Sequence, residues 1–234
     1  MGDITLGYWK IRGLGAPLRM MMEYAGKEYK DNQYEAHAKE EGGWDVSSWF
    51  GGPKQDLLAK NALMNLPYVV CGDTVVVQSN ACYTFLGRKL DLNGKTDAEI
   101  TKNEQILCEV MDLRNDLLAV VYPFKLKKAE FPEKSKAHVE RATPGYYRKL
   151  EAWLEMQGTK FLSADTPLSG DFHAWEMLDQ HELVASKLSY ASPLAKFPKL
   201  TAYYKAFKEL PTLQKYFASD AYQLPMNNKM AFVL

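Results

Sequence analysis

The stretch ITLGYWKIRGLGAP, residues 4–17, predicts how the chain begins to fold. Residues 4–8 alternate between two faces in the way that a β-strand does. Gly13 and Gly15 then indicate a loop. Pro17 suits the first turn of a helix, because the amide hydrogen that proline lacks would be unpaired there anyway. The stretch therefore predicts a strand, a loop and a helix in immediate succession.

The residues that follow continue the pattern of a small mixed domain. Apolar residues recur at helical spacing from Leu18 to Ala25. Residues 30–34 can form a second strand. The β-rich runs 68–71 and 74–77 flank a Gly-Asp pair, which indicates a hairpin. Together these elements predict the order β-α-β followed by a β-hairpin.

Two segments complete this first domain. Ser79 is placed to cap a helix over residues 80–89, since a serine hydroxyl accepts a hydrogen bond from a first-turn amide. Residues 40–53 are rich in Gly, Ser and Trp with weak periodicity, which favours a long surface loop or a broken helix. The order is that of a thioredoxin-like domain, which we expect over residues 1–90, with a linker at 91–95.

Residues 96–234 carry helical signals and no strand signal. Thr96 and Glu99 form the spacing of a capping box at the start of a long helix, which Pro123 should end. Further helices are expected over residues 132–156 with a kink at Pro144, over 171–185 and over 197–208. The fold class predicted is therefore α+β: a thioredoxin-like N-terminal domain followed by an all-α C-terminal domain.

Composition excludes several classes of function. Lys plus Arg and Asp plus Glu number 29 each, without the basic excess of a nucleic-acid-binding protein. No apolar run approaches the length of a membrane span, and residues 1–4 lack the features of a signal peptide. The scattered Cys71, Cys82 and Cys108 suit neither a disulfide framework nor a metal site. We expect a cytoplasmic protein with no metal, no nucleic-acid partner and no membrane contact.

Residues 6–14, LGYWKIRGL, closely resemble the N-terminus of cytosolic glutathione transferases, the mu class in particular. The blocks NLPY at 65–68, QSNA at 78–81 and VMD at 110–112 match in the same order. The resemblance extends to KMA at 229–231 and so covers essentially the whole chain. It implies the glutathione transferase fold, with glutathione as co-substrate, no permanently bound cofactor, and conjugation to small hydrophobic electrophiles.

The chemistry of such an enzyme depends on a thiol. A cysteine thiol has a pKa of about 8.5, so little thiolate is present at neutral pH, although the thiolate is the nucleophile. One hydrogen bond to a charged acceptor contributes about 1.5–3 kcal/mol, or roughly one to two pKa units. A tyrosine hydroxyl can donate that bond while keeping its own proton. By resemblance Tyr8 is this catalytic donor, whereas its residue type alone favours packing for bulk.

The resemblance implies a set of glutathione-binding residues around Tyr8. Pro67 should follow a cis peptide bond that leaves the backbone N–H and C=O of Leu66 free for the ligand's cysteine. The helix that begins near Ser79 should offer its first amides to the γ-glutamyl carboxylate. The plainer alternatives are a turn proline and an ordinary capping serine. The full set is Tyr8, Trp9, Leu14, Trp49, Lys54, Asn65, Leu66, Pro67, Gln78, Ser79 and, from the partner subunit of a homodimer, Asp112.

A second set should line the pocket for the electrophile. Tyr122 can donate to charge that develops on the electrophile. The alternative for each member is core packing or an exposed helix surface. The set is Ile11, Leu14, Arg114, Asn115, Leu118, Tyr122 and Asn228.

Several residues depart from the mu-class pattern. Val46 stands where an arginine commonly contacts a glutathione carboxylate, and Leu63 replaces an aromatic residue that inserts into the partner subunit. Asn115 stands where an apolar residue is common, which indicates a more polar electrophile pocket. Leu168 occupies a position where the family has a capping Ser or Thr, so Ser169 is expected to cap that helix instead.

Three other functions remain open. A non-catalytic ligand carrier or lens-type structural protein would keep the fold and tend to lose the site, which the joint presence of Tyr8, Gln78 and Ser79 argues against. The same thiolate could serve isomerisation or peroxide reduction. A thioredoxin-like redox protein needs a cysteine near the end of the first strand, and residues 8–15 contain none.

Overall fold

The N-terminal part of the protein is built on a four-stranded sheet, seen in a computed structural model that describes residues 3–124 and 126–234. The sheet has the order β2-β1-β5-β6, and a separate two-stranded hairpin joins β3 to β4. The central strand β1 pairs parallel with β2 and antiparallel with β5. The strands are β1 (Ile4–Trp9), β2 (Lys30–Tyr34), β3 (His37–Ala38), β4 (Trp44–Asp45), β5 (Tyr68–Cys71) and β6 (Thr74–Val77).

Within the described residues every strand precedes residue 78, and the rest of the chain is helical or irregular. This arrangement confirms the predicted fold class, while the proposed domain limits at 90 and 96 stay predictions. Met1 and Gly2 lie outside the described residues. The expected lack of a signal peptide rests partly on these two residues. The helices are α1 (Ala16–Tyr24), α2 (Ser47–Phe50), α3 (Pro53–Leu58), α4 (Ser79–Lys89), α5 (Asp97–Val121), α6 (Phe131–Ala137), α7 (Thr143–Gln157), α8 (Ser169–Lys187), α9 (Pro198–Lys208), α10 (Gln214–Phe217) and α11 (Asp220–Gln223).

Helix α8 lies at the centre of the molecule and is buried along most of its length. It packs against α1 and α4 on the side of the sheet and against α5 and α9 among the C-terminal helices. Trp175 stacks on Tyr204 and Phe207, with ring centroids 5.4 and 5.6 Å apart. A helix enclosed on all sides brings residues from both halves of the chain into contact, and polar groups on α8 must therefore find partners within the protein.

The long helix α5 begins with the predicted capping box. The amide of Glu99 donates to Thr96 Oγ1 at 3.2 Å, and the amide of Thr96 donates to Glu99 Oε2 at 3.3 Å. The helix ends at Val121, two residues before Pro123. The spacing in the sequence was sufficient to predict this capping box, because both partners of each hydrogen bond lie within one helical turn.

Two predicted serine caps are wrong. Ser79 is the first residue of α4 itself, and Gln78 occupies the cap position without a side-chain hydrogen bond. Ser169 lies inside α8, where its hydroxyl accepts a hydrogen bond from Asn103 at 2.8 Å. The start of α8 is instead stabilised by the carboxylate of Asp171, which accepts from the amide of Leu168 at 2.8 Å.

Residues 40–53 contain a broken helix, which is one of the two predicted alternatives for this segment. Helix α2 is followed after Gly51 and Gly52 by the start of α3, and the end of the β3–β4 hairpin precedes them. Trp49 of α2 is buried and packs between Tyr34 and Tyr68 with ring centroids at 4.9 and 5.9 Å. The expected break near Pro144 is present as a single π-helical turn, His138–Ala142, between α6 and α7.

Candidate active site

Tyr8 lies near the end of β1, and its ring is enclosed by the backbone of the following loop. Only 6% of the residue is exposed. A Cβ atom at Gly13 would lie 2.8 Å from Tyr8 Cε1 and 3.0 Å from its hydroxyl oxygen. A Cβ atom at Gly15 would lie 2.8 Å from Tyr8 Cδ1. The loop therefore contacts the edge of the phenol so closely that only glycine fits at both positions.

A cleft of about 520 Å³ opens beside Tyr8. It brings together residues from the end of β1, from the segment before β5, from the start of α4 and from α5. Trp9, Asn65 and Gln78 were predicted for glutathione binding and line it, whereas Asn80 and Met111 were not predicted. The lining residues are Tyr8, Trp9, Leu14, Asn65, Leu66, Gln78, Ser79, Asn80, Met111, Arg114 and Asn115.

The remaining predicted glutathione ligands lie outside this cleft. Trp49 is 1% exposed and belongs to the cluster of Tyr34 and Tyr68, and its Nε1 has no partner among the described residues. Lys54 extends over the ring of Phe50, with Nζ 5.0 Å from the ring centroid. Asp112 is exposed on α5, where another subunit can reach it.

The peptide bond between Leu66 and Pro67 is cis, as predicted. The prediction that the Leu66 amide is free is wrong, because it donates to Oδ1 of Asn65 at 2.9 Å. A ligand backbone that paired with Leu66 would have to displace this side chain. The Asn65 side chain would therefore compete with a ligand for the Leu66 amide. The sequence did not indicate this hydrogen bond.

Gln78 has an unusual backbone conformation at the edge of the cleft. Its φ angle is +71°, in the left-handed region that favours glycine, and its side chain is exposed. Such a conformation costs about 1–3 kcal/mol in a residue with a side chain, and positions of this kind cluster at ligand-binding sites. The turn leads directly into α4, whose first amides have no partner within the helix. Gln78 and Ser79 thus present polar groups to the cleft next to a helix N-terminus.

A second cavity, of about 20 Å³, shares Tyr8 and Arg114 with the larger cleft. Its volume suits roughly one water molecule. Four of the predicted electrophile-pocket residues line it, namely Ile11, Arg114, Leu118 and Tyr122, while Leu14 and Asn115 line the larger cleft instead. The other lining residues are Tyr8, Gly13, Leu117, Val121, Met177, Gln180, Met226 and Asn227.

Asn228 is not a lining residue of this cavity and contributes through its backbone. Its amide donates to the hydroxyl of Tyr122 at 2.8 Å. Burial raises the pKa of Tyr122 to about 12, so the hydroxyl keeps its proton at neutral pH and can donate it. The C-terminal segment thus holds the Tyr122 hydroxyl in place, while its role as a donor to the electrophile stays a prediction.

The C-terminal segment lines the small cavity through two residues that the sequence analysis did not name. The amide of Arg12 donates to the carbonyl of Pro225 at 2.8 Å, and that of Gly13 to the carbonyl of Met226 at 3.2 Å. Met226 and Asn227 are buried and reach the cavity from this position. The signals in the sequence were the predicted pocket residue Asn228 and the KMA block at 229–231, which mark the segment without indicating where it packs.

No group of three or more His, Cys, Asp or Glu in residues 3–124 and 126–234 is arranged to hold a metal ion. The cysteines at 71, 82 and 108 are not joined by disulfides. Over the same ranges, none of the helices has both the length and the apolar character required to span a bilayer.

Comparisons with known proteins find relatives of both parts of the chain. The family model for the glutathione S-transferase N-terminal domain matches residues 4–88, and the model for the C-terminal domain matches residues 111–220. Human glutathione S-transferase Mu 3 is 31% identical over 98% of this chain and 94% of its own length. Glutathione S-transferase B of Cavia porcellus is 30% identical over 98% of each chain.

Solved structures agree as well. The crystal structure of glutathione S-transferase Blo t 8 superposes with a TM-score of 0.81 at 27% identity and covers 98% of this chain and 99% of that one. A pi-class glutathione S-transferase of Onchocerca volvulus, 24% identical, covers the same shares with a TM-score of 0.77 and supports the fold alone.

Proposed function

The chain belongs to the glutathione S-transferase family, and from that premise we propose that it holds glutathione as thiolate through Tyr8 and conjugates it to small hydrophobic electrophiles. The observation that carries the proposal is that Tyr8 lines both cavities. A sulfur bound in the larger cleft would meet the electrophile near Tyr8 and Arg114, which the two cavities share, after the lining of the small cavity has moved to admit it. Residues 1–90 would then form the glutathione-binding domain, and residues 96–234 would supply most of the electrophile pocket.

Tyr8 would act by stabilising charge. A hydrogen bond from its hydroxyl to the sulfur favours the thiolate over the thiol and lowers the thiol pKa. Arg114 lines both cavities, and its guanidinium bonds to the neutral amide of Asn115 at 3.2 Å, so its positive charge is available to the same thiolate. Holding both reactants next to each other would supply much of the remaining acceleration.

The ends of glutathione would be held by charge complementarity. The γ-glutamyl carboxylate would accept hydrogen bonds at the start of α4, from the first amides and from Ser79. Lys54 would face the glycine carboxylate after turning away from Phe50, and Trp49 Nε1, buried without a partner among the described residues, would donate to the ligand after a small shift. Val46 leaves one such contact unfilled, so we expect a modest affinity for glutathione.

A homodimer would complete the site with Asp112 of the partner subunit. Leu63 is 71% exposed in the segment before β5. A groove of about 450 Å³ between α4 and α5 is lined by residues that include Ala81, Phe85 and Leu107. Inserting Leu63 of one subunit into this groove of the other would remove apolar surface from water on both. Burial of one leucine contributes about 1.5–3 kcal/mol, so two symmetric contacts would support a dimer.

The deciding experiment is conjugation of glutathione to a chlorinated nitroarene by the purified protein. Turnover above the spontaneous rate, lost in Tyr8→Phe, is the expected result. A protein that binds glutathione in a calorimeter yet does not accelerate the reaction is a ligand carrier, the second candidate function. The volume of the small cavity, about 20 Å³, favours that second candidate, since an aromatic electrophile does not fit there unless the lining residues move.

A further inference from the structure

We propose that Gln180 and Glu176 on α8 are positioning residues that hold the Gly13 backbone against the Tyr8 phenol and so keep the Tyr8 hydroxyl aimed at the sulfur. The inference rests on the proposed role of Tyr8 as hydrogen-bond donor. It concerns side chains that make no contact with glutathione in the cleft. It also gives a function to a buried polar network that the proposed chemistry otherwise uses only where Gln180 lines the small cavity.

The network begins at Arg12, in the loop after β1. Its Nε and Nη2 atoms donate to the two carboxylate oxygens of Glu176 at 3.0 and 2.9 Å, and Nη2 also donates to Asp179 at 2.5 Å. All three side chains are buried. Breaking a buried ion pair of this kind is costly because it leaves a charge without compensation. The ion pair therefore fixes the loop after β1 to α8, and separating the two would be strongly unfavourable.

Gln180 extends this anchor to the next residue of the loop. It lies one helical turn after Glu176, and residues four apart are neighbours on one helix face. Its Nε2 atom donates to Glu176 Oε1 at 2.7 Å and to the carbonyl of Gly13 at 3.3 Å. Glu176 thus orients the Gln180 amide, and Gln180 in turn holds the Gly13 carbonyl. Only the packing of α8 beneath the loop makes this bond possible, since 167 residues separate its partners.

Gly13 is the residue through which the network reaches Tyr8. Its backbone lies so close to the phenol that an added Cβ would approach the hydroxyl oxygen to 3.0 Å. Its φ angle of +39° is one that residues with a side chain rarely adopt. Any movement of this peptide would either crowd the phenol or open space beside it. The position of the Gly13 backbone therefore limits where the Tyr8 phenol can lie.

The neighbouring carbonyls of the loop have their own buried donors. Arg19 Nη1 donates to the carbonyl of Ile11 at 2.8 Å, and the hydroxyl of Tyr83 donates to that of Leu14 at 2.9 Å. These bonds would preserve the course of the loop if Gln180 were replaced. The effect of the replacement would then be local to Gly13 and Tyr8.

Hydrogen bonds weaken steeply with poor geometry, and a displacement of about 1 Å at a reacting group can cost roughly 100-fold in rate.

The test replaces Gln180 by methionine, an unbranched side chain of similar length without the donor. The readout is the ultraviolet absorbance of bound glutathione thiolate, titrated against pH. We expect Gln180→Met to raise the apparent thiol pKa by about half a unit or more, and to lower kcat roughly tenfold with little change in the KM for glutathione. In the Tyr8→Phe background the same replacement should add no further shift in the thiol pKa, because the hydroxyl that Gln180 is proposed to position is absent.

A matched control separates positioning from general loss of stability. Asn103 is buried and bonds to the amide of Gly170 at 2.8 Å, at a position roughly 16 Å along α5 from Arg114. Asn103→Leu should lower the melting temperature and leave the thiol titration unchanged. If Gln180→Met does not fold, Glu176→Gln provides the second variant, since it keeps the shape and weakens the anchor to Arg12.

The outcomes distinguish this inference from the proposed function. If Tyr8→Phe leaves the titration unchanged, the proposed function fails and this inference fails with it. If Tyr8→Phe raises the thiol pKa but Gln180→Met and Glu176→Gln do not, only the positioning role is overturned. An equal shift in Asn103→Leu, or a further shift in the double variant, would also overturn it.

Discussion

The Nε2 atoms of His138 and His181 lie 3.1 Å apart in the protein interior, where they form a hydrogen bond between two imidazoles. His181 Nδ1 is also 2.6 Å from the carbonyl of Met177, which can only accept. His181 must therefore carry its proton on Nδ1 and accept at Nε2, and His138 must donate from Nε2. Both rings are neutral in this arrangement, and the bond links the π-helical turn to α8.

This arrangement predicts a loss of stability in mild acid. Burial lowers the pKa of His138 to about 4 and that of His181 to about 3, from an ordinary value of 6.5, although Asp116 partly opposes the effect at His138. The unfolded chain therefore binds more protons than the folded one below pH 6.5. Stability that is complete above pH 6.5 should therefore fall as the pH drops from 6.5 toward 4.

Urea unfolding at pH 7 and pH 5 measures this effect. A double variant, His138→Leu with His181→Leu, should show a smaller loss of unfolding free energy between the two pH values. The matched control is His37→Gln, because His37 is exposed and its replacement should leave the pH dependence unchanged. Equal pH dependence in the double variant and the wild type would contradict the assignment to this pair.

Replacing Tyr8 by phenylalanine should preserve glutathione binding and remove most conjugation. The ring packing is kept, while the hydroxyl that would stabilise the thiolate is lost. We expect the pKa of the bound thiol to rise by about one to two units. Thiolate absorbance against pH measures the shift, with Tyr146→Phe as control, since the Tyr146 hydroxyl bonds to Asp116 and lines neither cavity. An unchanged titration curve would show that Tyr8 is not the donor.

Replacing Gly13 by alanine should impair both stability and activity. The new methyl group would lie 2.8 Å from the Tyr8 ring, and alanine is strained at a φ of +39°. We expect a destabilisation of about 1 kcal/mol or more, together with a large drop in kcat. Gly145→Ala is the matched control, because Gly145 lies in α7 with no atom within 4 Å of its added Cβ, so stability should rise slightly. Similar activity in the two variants would exclude close control of Tyr8 by this loop.

Replacing Leu63 by aspartate should weaken the proposed dimer. A charge at this position would have to be buried in the groove between α4 and α5, which is costly without a partner. Sedimentation should show a dimer that dissociates at micromolar protein concentration. In kinetic assays the KM for glutathione should rise, because the monomer lacks Asp112 of the partner subunit. Met156→Asp is the control, since Met156 is 78% exposed on α7, away from that groove. A monomer that conjugates at the full rate would remove any role for Asp112 across an interface.

Local features of the fold could be predicted from the sequence because their partners are close along the chain. The strand and loop around Tyr8, the hairpin of β5 and β6, and the Thr96–Glu99 capping box were all predicted in this way. The resemblance carried by the short motifs added the family and placed Tyr8, Gln78 and Ser79 at one site. Tyr8 lies near the end of β1, and Gln78 and Ser79 lie where α4 begins. In a thioredoxin-like domain the order of the strands and helices along the chain fixes where these ends lie in space.

Only the tertiary structure decided which distant groups meet. Ser169 has the residue type and place of a cap, yet its hydroxyl bonds to Asn103, 66 residues away. Gln180 and Met226 reach the Tyr8 loop because α8 and the C-terminal segment pack beneath and beside it. A hydrogen bond within one turn depends on spacing that the sequence displays directly. A bond between remote residues depends on how whole helices pack, and that follows from burial summed over the entire core.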